Sequence, residues 1–229
     1  MCEIPTFALV AAYVRLSGRQ SWSVETRRNH RNTAVSFFGW AHRAGHLSTN
    51  PAAGLPVMRA AAPSPRPAPD AVWIAAIAAA GPRVRLMLRL AAEAGLRRAE
   101  IARVHRRDLT RGPTGAALLV NGKGSKRRTV PVGDDLAAAI AGDGADGYLF
   151  PGADDGHPSP RYVGDLMADA LPDHWTAHTL RHRFATRAYR GSRNLRAVQT
   201  LLGHSSVATT ERYTAVDDDE IRAAAMAAG

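Results

Sequence analysis

The sequence predicts a mostly α-helical protein with one small antiparallel β-sheet, an α+β fold. Apolar runs of helical length end repeatedly at glycine, the residue that most often follows the last turn of a helix. In the segment 117–132, two short β-type runs flank a glycine-rich turn, which is typical of a β-hairpin. The 229-residue chain is 45% hydrophobic and 22% charged, so it has enough apolar side chains for a sizeable core.

Proline marks a division of the chain near residue 65. The segment Ala61–Asp70 has four prolines in ten residues, which favours an extended, semi-rigid connector. We therefore predict a helical domain over residues 1–60, a linker over 61–70 and a larger domain over 71–229 that ends in a C-terminal tail.

The smaller domain is predicted to contain two helices. An apolar stretch from Phe7 to Leu16 ends at Gly18. Ser23, or alternatively Thr26, can cap a second helix that stops near Gly45. The arginines on this second helix form either a solvated face or a set of phosphate contacts; they include Arg27, Arg28 and Arg31.

The larger domain has a cap or a glycine stop at most of its predicted helix ends. Side chains that can cap a helix N-terminus stand at Asp70, Ser159, Thr176 and Asn194. The predicted elements are helices over 71–80, 83–94, 98–104, 160–170, 177–190, 195–202 and 207–213, strands over 118–120 and 129–132, and a tail over 217–228.

Charge and cysteine content narrow the possible classes of protein. Thirty Lys and Arg against twenty Asp and Glu give a net charge of +10, which favours nucleic acid as partner and an anionic membrane surface second. Cys2 is the only cysteine, which excludes a disulfide scaffold. No apolar run approaches the roughly 20 residues of a membrane span, and the N-terminus lacks the basic start of a secretory signal. We expect a cytoplasmic protein that does not enter a membrane.

One predicted helix carries side chains suited to a phosphodiester. His178, Arg181 and His182 are three or four residues apart and share a helix face. A guanidinium can bind two phosphate oxygens, and an imidazole exchanges protons near neutral pH. His174, His178 and His182 also have the spacing of a zinc-binding face, but no glutamate or cysteine supports that alternative.

Further candidates stand at the ends of helices. Arg97 begins a helix, and Glu100 can either orient its guanidinium or cap that helix. His204 directly follows a glycine stop and is expected at an exposed turn. Tyr213 is either a nucleophile or a packing residue.

The two lysines of the chain, Lys123 and Lys126, lie together in the predicted hairpin. An ammonium can lose its proton, whereas a guanidinium practically cannot, so a lysine here can serve as a general acid. With two arginines to neutralise a phosphorane and a tyrosine to attack phosphorus, these residue types suffice for transesterification without metal or ATP.

The segments AGLRRAEI, VNGKGSKRRTVPV, AHTLRHRFAT and LLGHSSVATTERYT, in this order, resemble the tyrosine recombinase (phage integrase) family over about residues 71–215. The resemblance implies that Tyr213 forms a 3′-phosphotyrosyl bond and that no cofactor or metal is needed. It further implies Arg97 and Arg181 as phosphate clamps, Lys123 as general acid, His178 as proton acceptor or phosphate ligand, His204 as second phosphate ligand and Glu100 as a supporting residue. Candidate DNA contacts are Arg27, Arg28, Arg31, Lys126, Arg127 and Arg183.

The resemblance also implies an architecture and a partner. Residues 1–60 resemble a shortened core-binding domain, and no arm-type DNA-binding domain is expected. The partner would be double-stranded DNA with core-type attachment sites, bound by a homotetramer. The tail would dock on a neighbouring protomer through Ile221 and Met226.

The expected activity is site-specific DNA recombination, as the integrase of a phage or other mobile element. A resolvase of plasmid or chromosome dimers and a type IB topoisomerase-like nicking-closing enzyme are alternatives with the same chemistry. A DNA-binding regulator without catalysis and a metal-dependent hydrolase built on the histidines belong to different classes.

Overall fold

The computed structural model describes residues 22–59, 66–122, 127–144, 146–203 and 226. The chain forms two compact units, Met1–Pro63 and Ser64–Gly229, and the boundary between them lies inside the proline-rich segment. In the described part of the first unit, helix α1 spans Val24–Arg43. Ser23 caps it, because its Oγ accepts a hydrogen bond from the Thr26 backbone N at 3.1 Å. The helix predicted over residues 7–16 lies outside the described residues.

The second unit has helices on a three-stranded sheet. A 3₁₀ turn, Arg106–Asp108, precedes the sheet. In chain order the elements are α2 (Asp70–Ala79), α3 (Pro82–Glu93), α4 (Arg98–Ala102), β1 (Leu109–Gly112), β2 (Gly115–Asn121), β3 (Arg127–Val132), α5 (Asp134–Ala141), α6 (Pro160–Ala170), α7 (Ala177–Ser192) and α8 (Leu195–Leu202).

The sheet is antiparallel with the strand order β1-β2-β3. Leu118 on β2 pairs with Val130 on β3 and with Leu109 on β1. The predicted hairpin of β2 and β3 is therefore present, with longer strands than predicted. The sequence analysis missed β1, whose residues Leu-Thr-Arg-Gly show no apolar alternation that would distinguish a strand from a loop.

Helix α5 was also missed, although its sequence carried a signal. Asp134 and Asp135 stand in its first turn, where carboxylates stabilise the helix dipole. Leu136 and Ile140 are four residues apart and both are buried. Gly133, which is the N-cap, and the two aspartates of the first turn were together sufficient to predict this helix.

The core of the second unit forms around α3, which packs against α4, α5, α6 and α7. The contacts with α4 and α7 matter most for the candidate site, because those two helices carry Arg97 at the start and Arg181 in the interior. Fully buried side chains of the core include Leu88, Leu90, Leu96, Ile101, Leu118, Leu136, Ile140, Met167 and Leu180.

The end of the predicted linker belongs to the second unit. Ala68 is buried, and its backbone N donates to the Thr179 carbonyl at 3.1 Å. Asp70 is the first residue of α2 rather than its cap, a position that Pro69 holds. The Asp70 carboxylate accepts hydrogen bonds from Arg183 and Arg187 instead.

The other helix ends lie close to their predicted positions. Ser159 and Asn194 cap α6 and α8 through side-chain oxygens that accept backbone N–H groups. Helix α7 continues past Gly191 to Ser192 and ends at Arg193, whose φ of +52° is left-handed. No helix in the described ranges is both long enough and apolar enough to cross a membrane.

Candidate active site

The first part of the site forms where α3 ends and α4 begins. Gly95 has a left-handed φ of +64°, which favours glycine, and a Cβ there would lie 2.4 Å from the Phe184 ring. Both the backbone conformation and the close contact therefore require glycine at this position. Arg97 is the N-cap of α4. Glu100 accepts the Arg97 backbone N–H at 2.8 Å and the Arg97 Nη1 at 2.9 Å. It therefore orients the guanidinium and caps the helix at once, the two alternatives that the sequence left open.

Arg181 lies beneath this turn with 2% of its surface exposed. Its Nη1 donates to the Gly95 carbonyl, and its Nη2 donates to the Leu202 carbonyl at 2.6 Å. The same Nη1 lies 3.9 Å from a Glu100 carboxylate oxygen. The α7 arginine thus joins the turn before α4 to the last residue of α8.

Arg128 on β3 is a member of the site that the sequence analysis missed. Its two terminal nitrogens each donate to a Glu100 oxygen at 2.8 Å, and its Nε donates to the Leu201 carbonyl at 2.7 Å. Strand alternation could have found it, because Arg128 shares a strand face with the buried Val130 and Val132.

Glu100 is the common partner of these three arginines, with a side chain that is only 5% exposed. Burial alone would raise the pKa of Glu100. The hydrogen bonds from Arg128 and the Arg97 backbone, together with the charges of Arg128 and Arg181, outweigh burial and lower this pKa. Glu100 is therefore ionised at neutral pH and offsets the positive charge of the site.

The three arginines differ in their access to a ligand. Arg128 and Arg181 are buried and donate to carbonyls, whereas the Arg97 side chain is 42% exposed. Arg97 can thus donate directly to a bound anion, while the buried pair contributes positive charge and rigidity.

Two histidines stand in the first turns of α7. The Nε2 atoms of His178 and His182 are 2.9 Å apart, and His182 Nδ1 lies 3.1 Å from the Arg66 backbone N. His178 keeps an exposed side, but partial desolvation of its ring, followed by the charges of Arg181 and Arg97, lowers its pKa. His178 is therefore neutral at neutral pH.

An open groove of about 550 Å³ adjoins this cluster. Glu100 lines it, and so do Asn121, Gly122 and Arg127, which flank the undescribed residues 123–126. Arg103, Arg107 and His105 add further basic groups to its walls. The groove thus extends from Glu100 to the last residue of β2 and the first residue of β3.

The phage integrase family matches residues 71–220. The chain belongs to this family. Two curated relatives are named tyrosine recombinase XerC. That of Rhodospirillum centenum is 40% identical over 211 residues, which cover 81% of this chain and 60% of the relative. That of Xanthomonas axonopodis pv. citri is 33% identical over 226 residues, covering 90% of this chain and 72% of the relative. This phage integrase family member thus spans less than two thirds of the Rhodospirillum protein's length.

Solved structures agree with the fold. The integrase from mycobacterium phage Brujita is 28% identical with a TM-score of 0.58, covering 93% of this chain and 75% of that one. The XerH site-specific recombinase bound to a palindromic difH substrate is 20% identical with a TM-score of 0.75, covering 96% and 71%. A lambda integrase dimer bound to a COC′ core site is 19% identical with a TM-score of 0.70, covering 90% and 78%. These comparisons confirm the predicted family and the α+β fold.

Four of the predicted site residues of this family member lie outside the described residues: Lys123, Lys126, His204 and Tyr213. The described structure reaches their borders. Helix α8 ends at Gly203, whose φ of +63° is left-handed. The last two carbonyls of that helix are those held by Arg128 and Arg181. The backbone leading to His204 is thus attached to the guanidinium cluster.

The predicted DNA contacts fall into two groups. Arg127 is exposed at the start of β3. Arg28 on α1 is partly exposed and pairs with Glu25 at 2.7 Å. Arg31 instead donates to the Leu55 and Pro56 carbonyls. The Arg31 guanidinium is thus engaged by the backbone of its own unit, and its contact with DNA stays a prediction.

Arg183 is likewise oriented into the protein. Its side chain is 10% exposed, donates to Asp70 at 2.5 Å and lies over the Trp73 ring. The sequence could not show this, because a helix face rich in arginine looks the same whether the side chains reach solvent or a partner 113 residues away. Arg27 is half-buried on α1.

The zinc alternative loses its geometric basis. Helix α7 begins at Ala177, so His174 does not share a helix face with His178 and His182. Among the described residues, no group of three His, Cys, Asp or Glu side chains lies close enough to hold a metal ion.

Proposed function

We propose that this chain is a site-specific DNA recombinase that cuts and rejoins duplex DNA through a 3′-phosphotyrosyl bond on Tyr213. The observation that carries the proposal is the sharing of one buried carboxylate, Glu100, by Arg97 and Arg181. Residues from two distant segments are thereby held where a single phosphate can meet an exposed guanidinium backed by a buried one.

The proposed reaction is a reversible transesterification. The Tyr213 oxygen attacks phosphorus and its hydroxyl proton passes to water. The bond from phosphorus to the 5′ oxygen breaks, and Lys123 supplies the proton that the leaving oxygen needs. Arg97 and Arg181 offset the negative charge of the pentacoordinate phosphorane. In the return step a 5′ hydroxyl attacks phosphorus and gives its proton back to Lys123. The phosphotyrosyl bond breaks and the Tyr213 oxygen takes a proton from water. One phosphodiester bond forms for each phosphotyrosyl bond that breaks, so no ATP is needed.

The relatives favour one biological role over another. The sequence analysis placed an integrase of a mobile element first, yet both relatives reported above are XerC recombinases, which favours a chromosome dimer resolvase. We propose a XerC-like recombinase in the bacterial cytoplasm that acts as a homotetramer on core-type sites. We also propose that the tail docks on a neighbouring protomer through Ile221 and Met226; Met226 is exposed, and Ile221 lies outside the described residues.

Covalent trapping on a nicked suicide substrate tests the proposal. Candidate dimer-resolution and attachment sites are incubated with wild type, Tyr213→Phe and the matched control Tyr189→Phe, a change on α7 far along the chain from the proposed nucleophile. We expect a covalent adduct with wild type and Tyr189→Phe and none with Tyr213→Phe. An adduct that persists in Tyr213→Phe refutes the nucleophile.

The products distinguish the other functions. Exchange between two sites supports recombination, whereas supercoil relaxation with no two-site product favours the topoisomerase-like enzyme. Loss of cleavage in EDTA would favour the metal-dependent hydrolase. Tight, site-selective binding without any adduct would favour a regulator.

A further inference from the structure

The structure shows which histidine donates and which accepts in the hydrogen bond between His178 and His182 on α7. A backbone N–H can only donate, so His182 Nδ1 must be the acceptor of the Arg66 N–H that lies 3.1 Å away. A ring whose Nδ1 accepts is neutral and carries its proton on Nε2. His182 is therefore a donor at Nε2.

The partner of that donor is His178. The two Nε2 atoms are 2.9 Å apart, with ring centroids 4.2 Å apart and planes at 61°. Because His182 donates, His178 Nε2 accepts, and the proton of a neutral His178 must lie on Nδ1. Within the described ranges, that Nδ1 has no hydrogen-bond partner, so its N–H can meet a ligand.

We propose that His182 is a positioning residue, which holds His178 in the Nδ1–H tautomer so that His178 meets the scissile phosphate as a hydrogen-bond donor. The proposal rests on the recombinase function and deepens it. It decides between the two roles that the resemblance left open for His178, because the lone pair needed to accept the tyrosine proton is already engaged by His182.

The charges around His178 maintain this state. Desolvation of the ring, followed by the charges of Arg181 on α7 and Arg97 at the start of α4, opposes a second proton on the ring and lowers its pKa. A proton on Nε2 would in addition break the bond to His182. Arg66 holds the His182 ring through its backbone N–H. The Arg66 guanidinium lies 4.2 Å from the Trp175 ring centroid.

Two amide variants separate the tautomer role from simple anchoring. In His182→Gln, the amide nitrogen can replace Nε2 as donor to His178 but the acceptor for Arg66 is displaced. In His182→Asn, the amide oxygen can replace Nδ1 as acceptor for Arg66 but no donor reaches His178. Circular dichroism and urea unfolding confirm that each variant folds.

The first readout is the rate of single-turnover cleavage, measured from about pH 5 to about pH 9, a range that includes the pH values at which histidine titrates. We expect His182→Asn to slow cleavage by about 10- to 100-fold, the usual effect of losing a group that orients a site histidine. We expect His182→Gln to stay within about threefold of wild type, and only the Asn variant to shift the acid limb of the pH profile upwards. Cleavage retained in Asn and lost in Gln would overturn the proposal.

The second readout is the tautomer itself, from ¹⁵N NMR of histidine-labelled protein, with His178→Gln to assign the resonance. Wild type and His182→Gln should show His178 protonated on Nδ1, and His182→Asn a mixture. An Nε2-protonated His178 in wild type would overturn the proposal. Because this measurement uses DNA-free protein, an Nδ1–H result with no covalent adduct would reject the recombinase function while leaving the histidine pair in place.

Discussion

Two clusters in the second unit each gather arginines around one carboxylate, but one carboxylate is buried and the other is exposed. In one, Glu100 binds Arg97, Arg128 and Arg181; in the other, Asp70 binds Arg183 and Arg187. The Glu100 side chain is 5% exposed, whereas that of Asp70 is 66% exposed.

Both carboxyl groups have lowered pKa values, but for different reasons. For Asp70, the hydrogen bond and charge of Arg183 act with little opposition in an exposed setting. For Glu100, burial opposes ionisation and several arginine contacts must overcome it. Removing the charge of an exposed carboxylate costs little stability, because water then solvates the arginines that it paired with. Removing the charge of a buried carboxylate costs more, because the guanidinium charges stay buried and uncompensated. The comparison teaches that surroundings, rather than pair geometry, decide which cluster matters to folding and catalysis.

The largest effect is expected for Glu100→Gln. The substitution keeps the shape of the side chain but leaves the charges of Arg128 and Arg181 uncompensated. We expect a loss of about 3–5 kcal/mol in the free energy of unfolding. Cleavage on a suicide substrate should fall by about 100-fold in protein that remains folded, because Arg97 loses its orientation. A free energy of unfolding equal to that of wild type, measured with urea, would show that the buried cluster does not need the charge of Glu100.

The next largest effect is expected for Arg128→Lys. An ammonium cannot bind both Glu100 oxygens and the Leu201 carbonyl at once, so we expect a loss of about 1–3 kcal/mol in unfolding free energy. Cleavage should fall about tenfold as the backbone before His204 loosens. The matched control is Arg127→Lys, its exposed neighbour on the opposite strand face, which should keep wild-type stability. Equal stability of the two variants would contradict the structural role of Arg128.

Acid titration of stability tests the sign of the Glu100 effect. Its pKa is lower in the folded than in the unfolded state, so its stabilising contribution is complete above the ordinary glutamate pKa and is lost as pH falls through the folded-state pKa. The difference in unfolding free energy between wild type and Glu100→Gln should therefore shrink from neutral pH to below about pH 4. A difference that stays constant would mean that ionisation of Glu100 contributes nothing.

The smallest effect is expected for Asp70→Asn. The amide oxygen can still accept the hydrogen bond from Arg183, and water can solvate Arg187, which is mostly exposed. We expect a smaller loss of stability than for either change in the Glu100 cluster, measured by the same urea titration, and cleavage close to wild type. A loss as large as that of Glu100→Gln would abolish the distinction between the clusters.

Much of the fold and of the site was accessible from sequence. The caps at Ser23, Ser159 and Asn194 were predicted because each depends on a side chain and a backbone N–H only three residues apart. The His-x-x-Arg spacing placed His178 and Arg181 on one helix for the same reason. Strand β1 was missed because its pairing, rather than its own residues, makes it a strand.

The sequence by itself determined most of the helices and most of their ends, the types of group available for phosphate chemistry and the family. Only the tertiary structure decided which arginines are buried and which carboxylate holds them. The Arg181–Gly95, Arg128–Glu100 and Arg66–His182 contacts join residues 86, 28 and 116 positions apart. Local patterns act through neighbouring backbone groups and can be read directly, whereas burial and ion pairing depend on which distant segments the core brings together.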